Sequence, residues 1–526
     1  MPKREFIRWS PPVELSAGEE QICKRCKRVG RMYAFLRRHR HELFDDAFQA
    51  ELTVMYKDSP LGAPTHPPAM LGLVILLQAL TGLSDAAAVE AAVFDLRWRM
   101  VLDCADVEGA PFSQGSLVDF RARLLEHGLH LRLVERSVQL ARETRGFGAA
   151  QLRVALDSAP LWGCGRVEDT FNLIGHALEI VLRCVSVVSE VEIAQIREQA
   201  NLELTGGSSL KAKLDIDWDD DDEQHRALQW LLAEVQRLRS WVEQGAEEWL
   251  SSAPLNDALE QLARVISQDL EPDPDRGGSR IREGTARDRQ ISISDPEMRH
   301  GRKSRSRTIQ GYKRFIVKDL DQGLILGVLV QPANQPESEA APELHRQSSV
   351  HGEVSEFHID RGFLASETIE AHHASGGLVI ARPWVSRNRS QYPKERFSLD
   401  LEKKLATCPA GQQVSYTGRV VQFSAKICDA CAQRDNCTRA KPGRGRTVTV
   451  HPQEEMLAGL REAKATPEGR QRLRERVDVE HGLAHICNRQ GRRARYRGVE
   501  KNTFDLARYA VIENLFVIDR SLRAAA

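Results

Sequence analysis

LRVALDSAPLWG, residues 152–163, is a short apolar run that reads as a strand ending in an aspartate, Asp157, and a turn. Upstream the pattern is different. The runs Pro68–Leu80, Ser84–Val101 and Ser116–Thr144 carry apolar residues at helical spacing, and Ser84 is placed to cap the second of them. Downstream, YKRFIVKDLDQGLILGVLVQ (312–331) has two β-rich runs flanking Asp319–Gly323, a hairpin signature. EFHID (356–360) is a further strand ending in Asp360, and GLVIARP (377–383) follows about ten helical residues. Strand, hairpin, helix, strand, helix, strand is an α/β order and predicts a single mixed sheet.

Two long segments interrupt that sheet. The pattern divides the chain into a helical N-terminal domain over 1–150, core strands and helix over 151–165 and 291–384, and a helical insertion over 166–290. A cysteine-rich insertion follows over 385–455, and a helical C-terminal part over 456–526 ends in the apolar ARYAVIENLFVIDRSL. The acidic stretch at 215–223 reads as a solvated turn before a helix starting near Gln224.

With 526 residues, 41% of them hydrophobic, the chain has material for three or four units at roughly 150 residues each. Its 74 basic and 74 acidic residues cancel. Any polyanion-binding surface must therefore come from local clustering of charge. Such clusters exist. Arg299–Lys318 holds eight basic residues and no acid, and 489–501 holds six against one acid. The most apolar run, Ala69–Leu80, is short of the ~20 residues that cross a bilayer, so no membrane partner is expected. Ten cysteines in a chain this long are not a secreted disulfide framework, and the expected setting is the reducing cytoplasm.

Asp157 and Asp360 each close a predicted strand, and strand ends of one α/β sheet converge where ligands bind. Paired carboxylates without a nucleophilic serine or cysteine motif suit magnesium or manganese, which prefer oxygen donors. Glu480, on a late helix followed by an arginine-rich run, is the third acid, with Asp478 and Glu500 as alternatives. Asp478 lies about 200° around the helix from Glu480, so only one of them can face the site. Cys408, Cys428, Cys431 and Cys437 have a spacing that can wrap a structural zinc, with His451 as a substitute ligand. The segment is expected to lack the length to build its own core and to depend on that staple. Cys23 and Cys26 read as an unligated basic surface segment, and Cys104, Cys164 and Cys184 as small core residues. His481 and His485 have metal spacing but read as a packed or DNA-facing surface.

From residue 66 onward the chain resembles the DDE transposases of bacterial insertion sequences, in the insertion sequence 1182 family. The resemblance rests on HPPAMLGLVILLQALTGLSDAAAVEAAVFDLRWRMVLD (66–103), FSQGSLVDFRARL (112–124) and VALDSAPLWGCGRVEDT (154–170). It continues in the block at 291–344, in HIDRGFLAS (358–366) and in RVDVEHGLAHICNRQGRRARYRG (476–498), all in the family's order. It implies an RNase H-like catalytic core in which Asp157, Asp360 and Glu480 hold two magnesium or manganese ions. It also implies the four-cysteine zinc insertion and cleavage at transposon ends followed by strand transfer. The implied partners are double-stranded DNA, as terminal inverted repeats and target, and a second copy of the chain on the paired ends. The implied location is the bacterial nucleoid. Arg476 matches the arginine four residues before the glutamate. The family's tyrosine and lysine positions hold Leu473 and Cys487 instead, with Arg489 as the replacement for the lysine.

Arg299, Arg302, Lys303, Lys313, Arg476, Arg489, Arg492, Arg493 and Arg497 are the expected DNA contacts. The alternative function is an end-binding repressor that has lost catalysis, and a nuclease without strand transfer is a third.

Overall fold

In the computed structural model, residues 8–525 are described apart from 57–65, 146, 149–150, 207–209, 305, 385–387 and 389. The described residues before 146 form only helices and tight helical turns. Their centre is α1 (Pro68–Thr81), opened by proline at its first position and closed by Gly82 at φ 76°. Every residue of α1 from Pro68 to Leu80 is buried. Two of the expected helices are each split by a local breaker. Asp95 leaves helical geometry to cap Arg97 and separates Asp85–Phe94 from Leu96–Leu102. Gly128, at φ 65°, separates Gln114–Glu126 from α2 (Arg132–Arg145). Ser84 caps as expected, accepting from the Ala87 amide at 3.2 Å.

The sheet consists of β1 (Gln151–Trp162), β2 (Arg299–Ser304), β3 (Arg307–Asp319), β4 (Ile325–Pro332), β5 (Glu353–Ile359) and β6 (Leu378–Ala381). β3 is its spine. On one side it pairs antiparallel with β1. On the other it pairs with β2 over its first residues and with β4 over the rest. β1 then pairs parallel with β5, and β5 parallel with β6. The predicted hairpin is present, and its turn closes through Gly323 N–H to Asp319 O at 3.1 Å, with Gly323 at φ 75°. The basic run at 299–318 was expected as a surface cluster. The strand predicted from 312 extends back through most of that run, and β3 is buried along most of its length.

Helices cover the sheet. α10 (Val499–Ala525), the terminal helix, packs on β4, α2 and α1 and is buried throughout Asn502–Leu515. It also caps the backbone of β4. Thr503 accepts from Val330 N–H at 3.2 Å, and Asn514 accepts from Ile325 N–H at 2.7 Å. N-terminal helices, sheet and C-terminal helices share one apolar core.

Residues 166–290 have a separate core, built by α3 (Thr170–Ser189), α4 (Asp221–Glu243) and α5 (Ala253–Asp269). Their two ends meet where Glu168 N–H donates to Ile291 O at 3.0 Å. α3 is long and apolar enough to cross a membrane by length and composition, a length that Ala69–Leu80 lacks. Its apolar face is packed against α4 and α5. α4 begins at Asp221, three residues before the expected start, because Asp220 caps it by accepting from Asp222 and Glu223. The cysteine-rich segment corrects another expectation. Two small sheets, 398–415 and 420–449, enclose a core of Phe397, Ala406, Tyr416, Val421, Phe423, Val448 and Val450. Cys23 is also corrected: its helix turns it inward, with its sulfur 3.7 Å from that of Met100. Cys104 is buried as expected, whereas Cys164 and Cys184 are only half-buried.

Candidate active site

Asp157 does not end its strand. β1 continues five residues beyond it, because β3 still pairs on that side, with Asp157 opposite Ile316. What ends at this level is β5. Ala155 is in register with His358, so Asp157 and Asp360 each stand two residues further along neighbouring parallel strands. Asp360 leaves the sheet just past Ile359 and opens the helical turn Arg361–Phe363. Beyond Asp157 the place vacated by β5 is partly taken by the arginine-rich run. Trp162 N–H donates to Arg492 O, and Ala494 N–H to Trp162 O.

The third acid arrives on α9 (Val477–Gln490), one residue after α8 (Pro467–Glu475). The residue between the two helices is Arg476. Its Nη1 donates to Asp157 Oδ1 at 3.2 Å, and its Nη2 donates to Glu480 Oε1 at 2.7 Å. The i,i+4 spacing puts Arg476 and Glu480 on one helical face. Asp478 is turned elsewhere and pairs with Lys318 at 2.6 Å. Glu500 lies in the first turn of α10, where its charge acts on His130. Burial pushes the Asp157 carboxyl above its ordinary value; Arg476 pulls it back and Glu480 pushes it further up.

One carboxylate missed by the sequence reading lies close by on the other face of β1. Glu337 Oε1 accepts from Ser158 Oγ at 2.5 Å, next to Asp157. Its other oxygen lies over Gly362, two residues past Asp360, where a Cβ would stand 1.9 Å away. The only signal in the chain is that glycine, which a close approach requires. Also missed were two residues of β3 that hold α9. Arg314 donates to Gln490 Oε1 at 2.6 Å and to Gly491 O at 3.0 Å, while Lys318 Nζ donates to Asp478 O at 3.2 Å.

The expected DNA contacts divide. Arg302, Arg492 and Arg497 are exposed. Arg299 is buried, its guanidinium on Asp288 and on the carbonyls of Pro296 and Met298. Lys313 holds Gln335 O, Arg493 holds Gly163 O and Cys164 O, and Arg489 pairs with Glu513. The side chain of Lys303 lies outside the described residues.

Cys408, Cys428, Cys431 and Cys437 line one pocket. Burial pushes the Cys437 thiol up, and the other three thiols push the same way. His451 is directed elsewhere, accepting from Gln453 N–H and lying edge-on to Trp384. Among the described residues, however, no set of three or more His, Cys, Asp or Glu side chains is close enough together to hold a metal ion. The two expected sets differ in donor chemistry, carboxylate oxygens at Asp157, Asp360 and Glu480 against four cysteine sulfurs, and neither is gathered closely enough to hold an ion.

Two stretches match family models, and both are transposase domains. Residues 406–518, which include Glu480 and its helix, match a transposase DDE domain. Residues 23–123, in the helical N-terminal part, match a transposase domain of otherwise undefined role, DUF772. No curated protein and no solved structure matches the chain. The two matches support a DDE transposase, a class of enzyme that acts on DNA with divalent metal ions.

Proposed function

We propose that this protein is a DNA transposase of the insertion sequence 1182 family, with Asp157, Asp360 and Glu480 as its catalytic acids. The observation that carries the reading is Arg476, which lies 319 residues from Asp157 in sequence and joins it to Glu480. A mixed sheet, antiparallel from β4 to β1 and parallel from β1 to β6, supports an RNase H-like core. When bound, two magnesium or manganese ions would activate the attacking oxygen and stabilise the leaving one at a phosphodiester. The residues of the chain have separate tasks. Asp157 and Asp360 present oxygens from adjacent strands, and Glu480 presents its own from a helix held by β3. Arg302, Arg492 and Arg497 would contact phosphates of double-stranded DNA, both the element's terminal repeats and the target, with two copies of the chain on paired ends. The four cysteines would hold one structural zinc, supported by their convergence on a single pocket.

A strand-cleavage and joining assay on DNA carrying the element's ends tests this. Asp157→Ala should abolish magnesium-dependent cleavage and leave end binding largely intact. Cleavage persisting in that variant would remove Asp157 from the chemistry. End binding without any cleavage by the unmodified protein would favour a repressor, and nicks without joined products a nuclease.

A further inference from the structure

Arg476 lies between two of the acids that the proposed function assigns to metal. Its guanidinium is a planar fork, and each of its terminal nitrogens is directed to a different carboxylate. The oxygens it engages, Asp157 Oδ1 and Glu480 Oε1, are donors that a hard divalent cation would need. The guanidinium offsets the repulsion that Glu480 exerts on Asp157. Asp157 and Arg476 are mostly shielded, with side chains 17% and 20% exposed, while Glu480 is 46% exposed and free to re-orient. Arg476 is also the single residue between α8 and α9, so its side chain sits at a joint. α8 is tied to the sheet by other pairs, such as Arg472 with Glu356 at 2.8 Å, and needs no contribution from Arg476 to be held there.

We infer that Arg476 is a built-in counter-cation, which occupies the carboxylates of the metal-free chain and must release Asp157 and Glu480 before a divalent ion can take them. This rests on the proposed reading of the site as a metal centre. It adds that the chain competes with its own metal, so that the acids are neutralised until the ion arrives.

The test is Mn2+ binding to the full-length protein, followed by electron paramagnetic resonance of the free ion, with melting curves to show that each variant is folded. Arg476→Gln removes the competitor and should bind Mn2+ roughly three- to tenfold more tightly, the scale of a partly exposed ion pair. Arg476→Lys keeps the charge but loses the fork. It should also bind more tightly than the unmodified protein, and it stands in if Arg476→Gln does not fold. Arg474→Gln removes an exposed charge in the last turn of α8 that bridges no acid of the site and should leave affinity unchanged. Asp157→Asn should lose binding. Equal or weaker Mn2+ binding by Arg476→Gln would overturn the counter-cation while leaving the metal site standing. Tightening in Arg476→Gln with none in Arg476→Lys would support the counter-cation and show that its charge, without the fork, is enough to hold the acids. No Mn2+ binding by any form, the unmodified protein included, would remove the metal site and the inference with it.

Discussion

Burial raises the Asp157 carboxyl even with a guanidinium 3.2 Å away, so the folded protein holds its proton more readily than the unfolded chain does. A group raised in the folded state contributes stability below its unfolded value, about 3.9 for aspartate, and loses it as pH rises through the folded value. Ionised Asp157 therefore costs stability at neutral pH. Asp157→Asn should melt at a higher temperature than the unmodified protein at pH 7 in the absence of divalent metal, with the gap closing toward pH 4. Melting curves across that range check this, and an Asn variant that melts lower at pH 7 would refute it. A site that costs the fold stability is common where a charge is kept for function. At this scale, Asp157 and Asp360 stand out in the sequence because each follows a strand pattern; that β1 runs on past Asp157 is not visible there. Glu337 was not legible, because its partners Ser158 and Gly362 lie 179 and 25 residues away and no local pattern links them.

β3 decides where Glu480 stands relative to Asp157. It pairs with β1, which carries Asp157, and holds α9 near both ends through Lys318 and Arg314. The two are four residues apart, so they project from the same face of the strand. Arg314 is fully buried, and it also donates to Pro160 O of β1 at 3.2 Å. Arg314→Met should leave Gln490 and two carbonyls without their donor, at a cost of about 2–4 kcal/mol. Urea unfolding measures it, and a loss below about 1 kcal/mol would show that water or a neighbouring donor replaces the guanidinium. Both residues belong to a basic run with no acid, which reads from sequence as a DNA-facing patch. Tertiary packing overrides that pattern: inside strands the same charges serve as buried donors.

Three cores organise the molecule. One unites the N-terminal helices, the sheet and the C-terminal helices; the second is the helical insertion; the third is the cysteine-rich segment. The chain passes through the third on its way from β6 to α8, so that segment lies on the route that delivers Glu480. Its small apolar core means that zinc would reinforce the segment and would not be the sole source of its fold. Elemental analysis of freshly purified, reduced protein should find about one zinc per chain, as a four-thiolate site requires. Cys431→Ser should lose that zinc and lower the melting temperature while retaining the main sheet. Absence of zinc from the unmodified protein would leave the four cysteines as thiols at the edge of a small core.

What the sequence determined by itself was local. β-rich runs and turn residues predicted the hairpin at 312–331, strand patterns pointed to Asp157 and Asp360, and i,i+4 spacing put Arg476 and Glu480 on one helical face. These patterns depend on neighbours within a few residues, which the chain order supplies directly. Only the tertiary structure decided which charges face inward. The seat of Arg476 between two acids, the inward turn of Arg314, the approach of Glu337 and the continuation of β1 past Asp157 each depend on a partner far away in sequence. Burial and pairing of charge are properties of the assembled interior, and a charged residue has the same letter on either side of it.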